Sequence, residues 1–315
     1  MSELKIVFIG QEHEMSHRLL QHALDYHSVV GIVTSALRKQ ARKAQPRKLA
    51  KLLTRIIRPG RKTFLQIARE RNIPYLYLNG RKHDDLLSLL KRVKPDLMCV
   101  VSMSQILKPE AFTFPPLGTI NVHPSYLPDY RGPNPWFWQY YNFEKEGGVT
   151  IHYIDEHADT GDIIARKKYS IEPGESFSSV YAKATKLAHE MFVDTLKDIL
   201  AGNVVRIRQV NLPCPHIADF VKTDVDYIKW NEWSIERCWH VLRGTTSWTS
   251  EIEPPRGWKA GLGWKIGEYV IIKNDDPPGA VCRDKDGWYV AHCDGKIRLA
   301  VNYSLRSILK VIAYN

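Results

Sequence analysis

Three side chains in this 315-residue sequence have the types and spacing to do chemistry together. The segment Thr119-Ile120-Asn121-Val122-His123 alternates as a short strand. Strand side chains repeat every two residues, so Asn121 and His123 share one side. Pro124 has no N–H to give a ladder and stops the strand there. About 40 residues on, Asp159-Thr160-Gly161-Asp162 forms a turn cluster beside another strand. Ligands of open parallel sheets bind where strands give out, so an amide, an imidazole and a carboxylate are expected to meet at one edge. The amide N–H suits a developing negative charge, and an imidazole moves protons near neutral pH. Asp162 would hold His123 in one tautomer or relay a proton. Each residue alone also has a plain structural reading: a satisfied histidine, an aspartate in a turn. No Ser or Cys nucleophile stands out.

The elements that must position these groups alternate in type. Lys5–Gly10 is an apolar run that reads as a buried parallel strand. Residues 15–27 suit a helix, and 29–34 a second strand. Gly10 is not followed by G-x-G-x-x-G, which argues against a dinucleotide site. Further strands are expected at 73–78, 96–102 and 118–123, with helices at 63–71 and 84–93. This βα alternation implies an α/β fold with a Rossmann-like, mostly parallel sheet. Residues 149–155 and 163–171 read as a hairpin-like pair, and 176–200 as a long helix. Past residue 206 the composition changes. Seven of the nine tryptophans lie there, with Pro-Pro and Gly-rich turns and short alternating segments at 268–272, 287–293 and 296–301. A smaller β-rich, barrel-like C-terminal domain follows from that pattern. The expected division is 1–205 and 206–315, with a helix at 234–242 joining the parts.

Composition excludes several classes. The chain is 44% hydrophobic and 25% charged, with no apolar run approaching a membrane span. Its start resembles no signal peptide, and five cysteines without a C-x-x-C pair fit a reducing, cytoplasmic setting. His152 and His157 with Asp159 lack tight ligand spacing, so no metal centre is expected. The net charge of +11 is local: residues 35–71 hold thirteen Lys/Arg against Glu70 alone, a surplus of twelve, leaving about −1 elsewhere. That segment reads either as a surface helix with a solvated basic face, or as a landing strip for phosphates, including those of tRNA.

The run Asn121-Val122-His123-Pro124-Ser125-Tyr126-Leu127-Pro128-Asp129-Tyr130-Arg131-Gly132, followed by Asp159-Thr160-Gly161-Asp162, resembles the formyltransferases that use N10-formyltetrahydrofolate. The resemblance covers residues 4 to 205 well and the remainder loosely. It implies transfer of a formyl group to a primary amine through a tetrahedral intermediate, with Asn121, His123 and Asp162 catalytic. It places the cofactor against Gln105, Ile106 and Leu107 and against Asp155, His157, Ala158 and Asp159, with Ser125 and Arg131 toward the substrate. Pro133-Asn134-Pro135-Trp136-Phe137-Trp138 is similar to the aromatic version in enzymes acting on amino sugars. A nucleotide-linked amino sugar is therefore the expected acceptor. Methionyl-tRNA, favoured by the basic segment and the C-terminal domain, and an ornithine-type siderophore precursor are the alternatives. Assembly into identical copies is compatible with this reading.

Overall fold

The structure, a computed structural model, describes residues 3–35, 62–78, 83–103, 105–209, 214–256 and 261–304. Most of the basic segment, residues 36–61, lies outside them. Seven strands form one sheet in the order β3-β2-β1-β4-β5-β6-β7. β1 (Lys5–Gly10), β2 (Ser28–Ser35), β3 (Tyr75–Leu78), β4 (Leu97–Val101) and β5 (Thr119–His123) run parallel. β6 (Glu146–Tyr153) and β7 (Ile163–Ser170) add antiparallel. Among the described residues the helices in chain order are α1 (Glu14–Tyr26), α2 (Phe64–Glu70), α3 (His83–Val93), α4 (Pro109–Phe112), α5 (Pro135–Tyr141), α6 (Phe177–Ala201) and α7 (Ile235–Thr245).

A central strand that is apolar on both sides needs cover on both faces. Ile6, Phe8, Cys99, Val101, Ile120 and Val122 bury one face against α1 (Leu19, Leu20) and α6 (Ala184, Phe192, Leu196). Val7, Ile9, Met98 and Val100 bury the other with Leu86, Leu89 and Leu90 of α3. Each large apolar side chain so buried contributes about 1.5–3 kcal/mol. Local signals set the helix ends. Thr63 and Gln66 form a capping box at the start of α2, and Gly202, at φ +70°, ends α6 in the left-handed region that glycine enters without steric cost. No helix among the described residues is long and apolar enough to cross a membrane.

The C-terminal part is a second sheet of β8 (Trp264–Ile271), β9 (Val281–Asp284), β10 (Gly287–His292) and β11 (Gly295–Val301), antiparallel in the order β8-β11-β10-β9. The described strands form an open sheet rather than a closed barrel. α7 lays Cys238, Val241 and Leu242 over Ile266, Val290, Ile297 and Leu299. His292 caps the β10–β11 turn: Nδ1 accepts from Asp294 N at 3.1 Å, and Nε2 donates to the Trp233 carbonyl at 2.9 Å.

The aromatic run of α5 sits between α6 and α7. Tyr140 is fully buried, with its ring 4.9 Å from that of His240. Phe137 packs on Tyr227 and Trp248, and Trp136 on Phe177 and Tyr181. These rings therefore join the two parts of the chain. The chain also crosses the expected division at 205/206 while still seated on the first sheet. Ile163 and Ile207 exchange backbone hydrogen bonds of 2.8 and 2.9 Å, Tyr130 N donates to the His216 carbonyl at 2.8 Å, and Ala218 N to that of Arg131 at 2.7 Å.

Candidate active site

β5 ends beside β4 on one side and β6 on the other, and the β5–β6 register pairs Asn121 with His152 and His123 with Thr150. Strand alternation sends Ile120, Val122, Val149 and Ile151 into one apolar cluster. Asn121, His123, Thr150 and His152 therefore share the opposite face, as the alternation around Asn121 and His123 predicts.

The carboxylate that meets this group is that of Asp159. Its Oδ2 lies 3.5 Å from His123 Nδ1 and accepts from Gly132 N at 3.0 Å. Its Oδ1 lies 3.5 Å from His152 Nε2 and accepts from Asn121 Nδ2 at 3.3 Å. The sequence reading gave that place to Asp162 and set Asp159 among the cofactor contacts. Here the Asp162 carbonyl accepts from Tyr153 N, extending the β6–β7 ladder. Among the described residues no hydrogen bond or ion pair joins Asp162 to His123. The reason is local: Asp159, at φ +57°, turns the chain back over β5, and Gly161 lets it pass tightly. A Cβ on Gly161 would stand 1.9 Å from the Tyr153 carbonyl oxygen.

Hydrogen bonds assign the tautomers. A carbonyl only accepts, so His123 Nε2–H donates to Tyr130 O at 2.9 Å and leaves the Nδ1 lone pair toward Asp159. His152 Nδ1–H donates to Tyr153 O at 2.7 Å, so Nε2 accepts from Asn121 Nδ2 at 3.1 Å. Tyr130 holds its carbonyl in place at φ +60°, a region a tyrosine enters only when its surroundings impose it. Those surroundings are His216, whose ring stacks on Tyr130 at 5.1 Å, and Glu144, which accepts from the Tyr130 hydroxyl at 2.6 Å.

The electrostatics follow from burial. His123 is 4% exposed, and desolvation lowers its pKa against the opposing pull of Asp159 and the Tyr130 carbonyl. Burial alone would raise the Asp159 pKa, but His123, His152 and the Gly132 N–H together hold the carboxyl well below the usual carboxylate range. The site thus sets an anionic Asp159 against the rings of His123 and His152, with an amide donor beside it. Such a group can donate to a developing oxyanion and accept a proton close by.

The other expected residues fall in distinct places. Leu107 is buried with Met98 and Val100, and Met103 and Ile154 pack on the same cluster. Met103 and Leu107, past the end of β4, and Ile154, past the end of β6, therefore converge. Ile106 is 69% exposed, and Gln105 Oε1 lies 3.4 Å from Ser35 Oγ. Asp155 Oδ1 accepts from His157 N and Thr160 Oγ1, which shapes a turn that leaves His157 and Ala158 exposed. Ser125 is fully buried and donates to Asp129 O at 2.6 Å, so from there it shapes the loop rather than reaching a substrate. Arg131 gives Nε and Nη2 to Gln209 Oε1 at 3.2 and 2.7 Å. His152, Tyr130, Gly132 and Gln209 were not singled out as site residues. Only His152 carried a signal: it has the same parity as Thr150, opposite to its apolar neighbours.

Residues 4–196 match the family model described as formyl transferase. The methionyl-tRNA formyltransferase of Listeria monocytogenes serotype 4b (strain CLIP80459) is 30% identical over 301 residues, 93% of this chain and 88% of its own length. That of Pelotomaculum thermopropionicum is 31% identical over 210 residues, covering 67% of this chain and 65% of its own length. Among solved structures, the N-formyltransferase of Helicobacter canadensis, in complex with folinic acid and dTDP-3-aminofucose, superposes with a TM-score of 0.64 at 16% identity. It covers 95% of this chain and 100% of its own, which establishes a shared fold. By the family match over residues 4–196 and the relatives that share it, this chain belongs to the formyl transferase family and is a formyltransferase.

Proposed function

We propose that the chain transfers the formyl group of N10-formyltetrahydrofolate to the primary amine of a nucleotide-linked amino sugar. The observation that carries the formyl transfer is Asp159 seated between His123 and His152, with Asn121 Nδ2 3.3 Å from its carboxylate. The convergence of Met103, Leu107 and Ile154 suits the folate: they offer apolar contact for a flat ring, and neighbouring backbone groups its polar edge.

The chain's own groups then have separable tasks. Asn121 turns an N–H toward the formyl oxygen as that oxygen becomes negative. The amine loses a proton as the C–N bond forms, and the Asp159–His123 pair accepts it. The pair returns a proton to the nitrogen that leaves the formyl carbon. Burial of His123 keeps it neutral and able to accept near pH 7.

The amino-sugar acceptor is supported by the Pro133–Trp138 run. Its rings pack on Phe177, Tyr181, Tyr227 and Trp248. A second reading, methionyl-tRNA, is favoured by the 30% identity that runs through both parts of the chain and by the basic segment. The test is a formyl-transfer assay with N10-formyltetrahydrofolate on dTDP-, UDP- and GDP-linked amino sugars and on initiator methionyl-tRNA. Turnover of one sugar supports the first reading. Turnover of the tRNA alone replaces it with the second, and turnover of neither removes both.

A further inference from the structure

Resting on the formyl-transfer reading, we infer that Gln209 is a positioning residue that holds Asp159 in its working place. It lies beyond α6, in the segment that leads toward the C-terminal sheet, yet it is only 3% exposed. Its Oε1 accepts from Arg131 Nε and Nη2 at 3.2 and 2.7 Å. Its Nε2 donates to the Asp159 and Gly161 carbonyls at 3.1 and 2.6 Å. Both of its donors and its acceptor oxygen are thus engaged inside the protein.

The contacts close a ring. Arg131 is covalently next to Gly132, and Gly132 N–H holds Asp159 Oδ2 at 3.0 Å. Gln209 grips the Arg131 side chain with one end and the Asp159 backbone with the other. Carboxylate and backbone of Asp159 are therefore fixed from two directions, against the left-handed φ that the loop demands. The residue type is dictated by this. A glutamate could accept from Arg131 but has no donors for two carbonyls. A lysine could donate but not accept. Arg131 has no carboxylate partner among the described residues, and the segments outside them contain no Asp or Glu. A neutral amide thus orients the guanidinium without quenching its charge.

Asp159 is faced by His123 from β5, by His152 from β6, and by Asn121 and the Gly132 N–H; Arg131 stands one residue further, and Asp155 and Asp162 belong to its own loop. If Gln209 lets go, the carboxylate moves away from these donors. Its pKa then rises, and His123, losing a nearby anion, titrates at lower pH than before.

The experiment compares wild type with Gln209→Leu and Gln209→Glu. Glu keeps the bond to Arg131 and the side-chain length but loses both donors. The first readout is the imidazole titration of His123 by NMR, which needs no substrate. The second is kcat, KM and the pH profile of formyl transfer from N10-formyltetrahydrofolate to dTDP-linked amino sugars and methionyl-tRNA. The expected result is a fall in kcat of about 10- to 100-fold, with KM for the folate nearly unchanged. His123 should titrate lower, and the acid limb of the rate should move to lower pH with it. A folded Glu variant with wild-type His123 titration overturns the inference, as does a loss of thermal stability in both variants with an unchanged pH profile. Absence of turnover in wild type would instead strike the formyl-transfer reading and leave the titration to decide the role of Gln209.

Discussion

Asp159 Oδ2 lies 3.5 Å from His123 Nδ1, across a contact that involves neither Asp162 nor solvent-exposed groups. Under the proposed function, the pair that handles the proton is His123 with Asp159. Asp159→Asn should lower kcat by about 10²- to 10⁴-fold, the range for a positioned proton-transfer group. Asp162→Asn should cost far less. Steady-state rates of both variants settle it, and a larger loss at position 162 would reverse the assignment.

His123→Ala should abolish turnover while leaving the fold intact, because the ring's partners are one backbone carbonyl and one carboxylate. Circular dichroism and the formyl-transfer rate check this together. Burial lowers the His123 pKa, and a group so lowered stays neutral to lower pH than a free imidazole. The acid limb of kcat/KM should therefore fall below the ordinary histidine value of about 6.5. A limb above neutrality would contradict a neutral His123.

Gly132→Ala places a Cβ 2.6 Å from the Ala218 carbonyl oxygen at a backbone φ of +118°. It should cost about 1–3 kcal/mol in stability. It should also slow turnover, because the Gly132 N–H that holds Asp159 must shift. Urea unfolding and kcat of the same variant would show both losses. A stable, slow variant would separate the two effects.

His240 reports on stability rather than chemistry. It is fully buried, its Nδ1 accepts from Gly174 N at 2.9 Å, and burial lowers its pKa to about 4. The unfolded chain takes up this proton near pH 6.5, the folded chain only near 4. Its contribution is thus complete above about pH 6.5 and falls as pH drops toward 4. Between pH 7.5 and 5.5 the loss should be about 1 kcal/mol from this residue. Denaturation of wild type and His240→Asn at both pH values would show it, as a smaller pH difference in the variant.

The two acceptors separate by salt. If residues 35–71 dock a tRNA, KM for that substrate should rise steeply between low and physiological ionic strength, because many phosphates release counterions. A nucleotide sugar carries few phosphates and should show a shallow slope. Charge reversal at Arg42 and Lys43 would flatten the first slope and leave the second unchanged.

Strand alternation was enough to place Asn121 and His123 on one face, because a period of two is a rigid property of strands. The alternation of elements likewise foretold a mostly parallel sheet with a β-rich C-terminal part. The sequence pointed to Asp162, whereas the carboxylate beside His123 is that of Asp159, three residues earlier in the same turn. There the outcome depends on a left-handed residue and on Gly161, and a turn has no period to read. Gln209 was invisible for another reason: its partners lie 48 to 78 residues away along the chain. The run Pro133–Trp138 read only as similar to that of enzymes acting on amino sugars; its packing on Phe177, Tyr181, Tyr227 and Trp248 depends on residues distant in sequence.

The Ile163–Ile207 bridge, Gln209 and His216 all come late in the chain. Synthesis runs from the N-terminus, and early parts can fold while later ones are still being made. A nascent chain extruded through α6 would already have its seven-stranded sheet, and with it Asn121, His123 and Asp159. It would still lack the groups that hold Asp159 and the Tyr130 carbonyl. Activity should therefore arise well after the sheet has formed, only once Ile207, Gln209 and His216 have emerged and taken up their contacts.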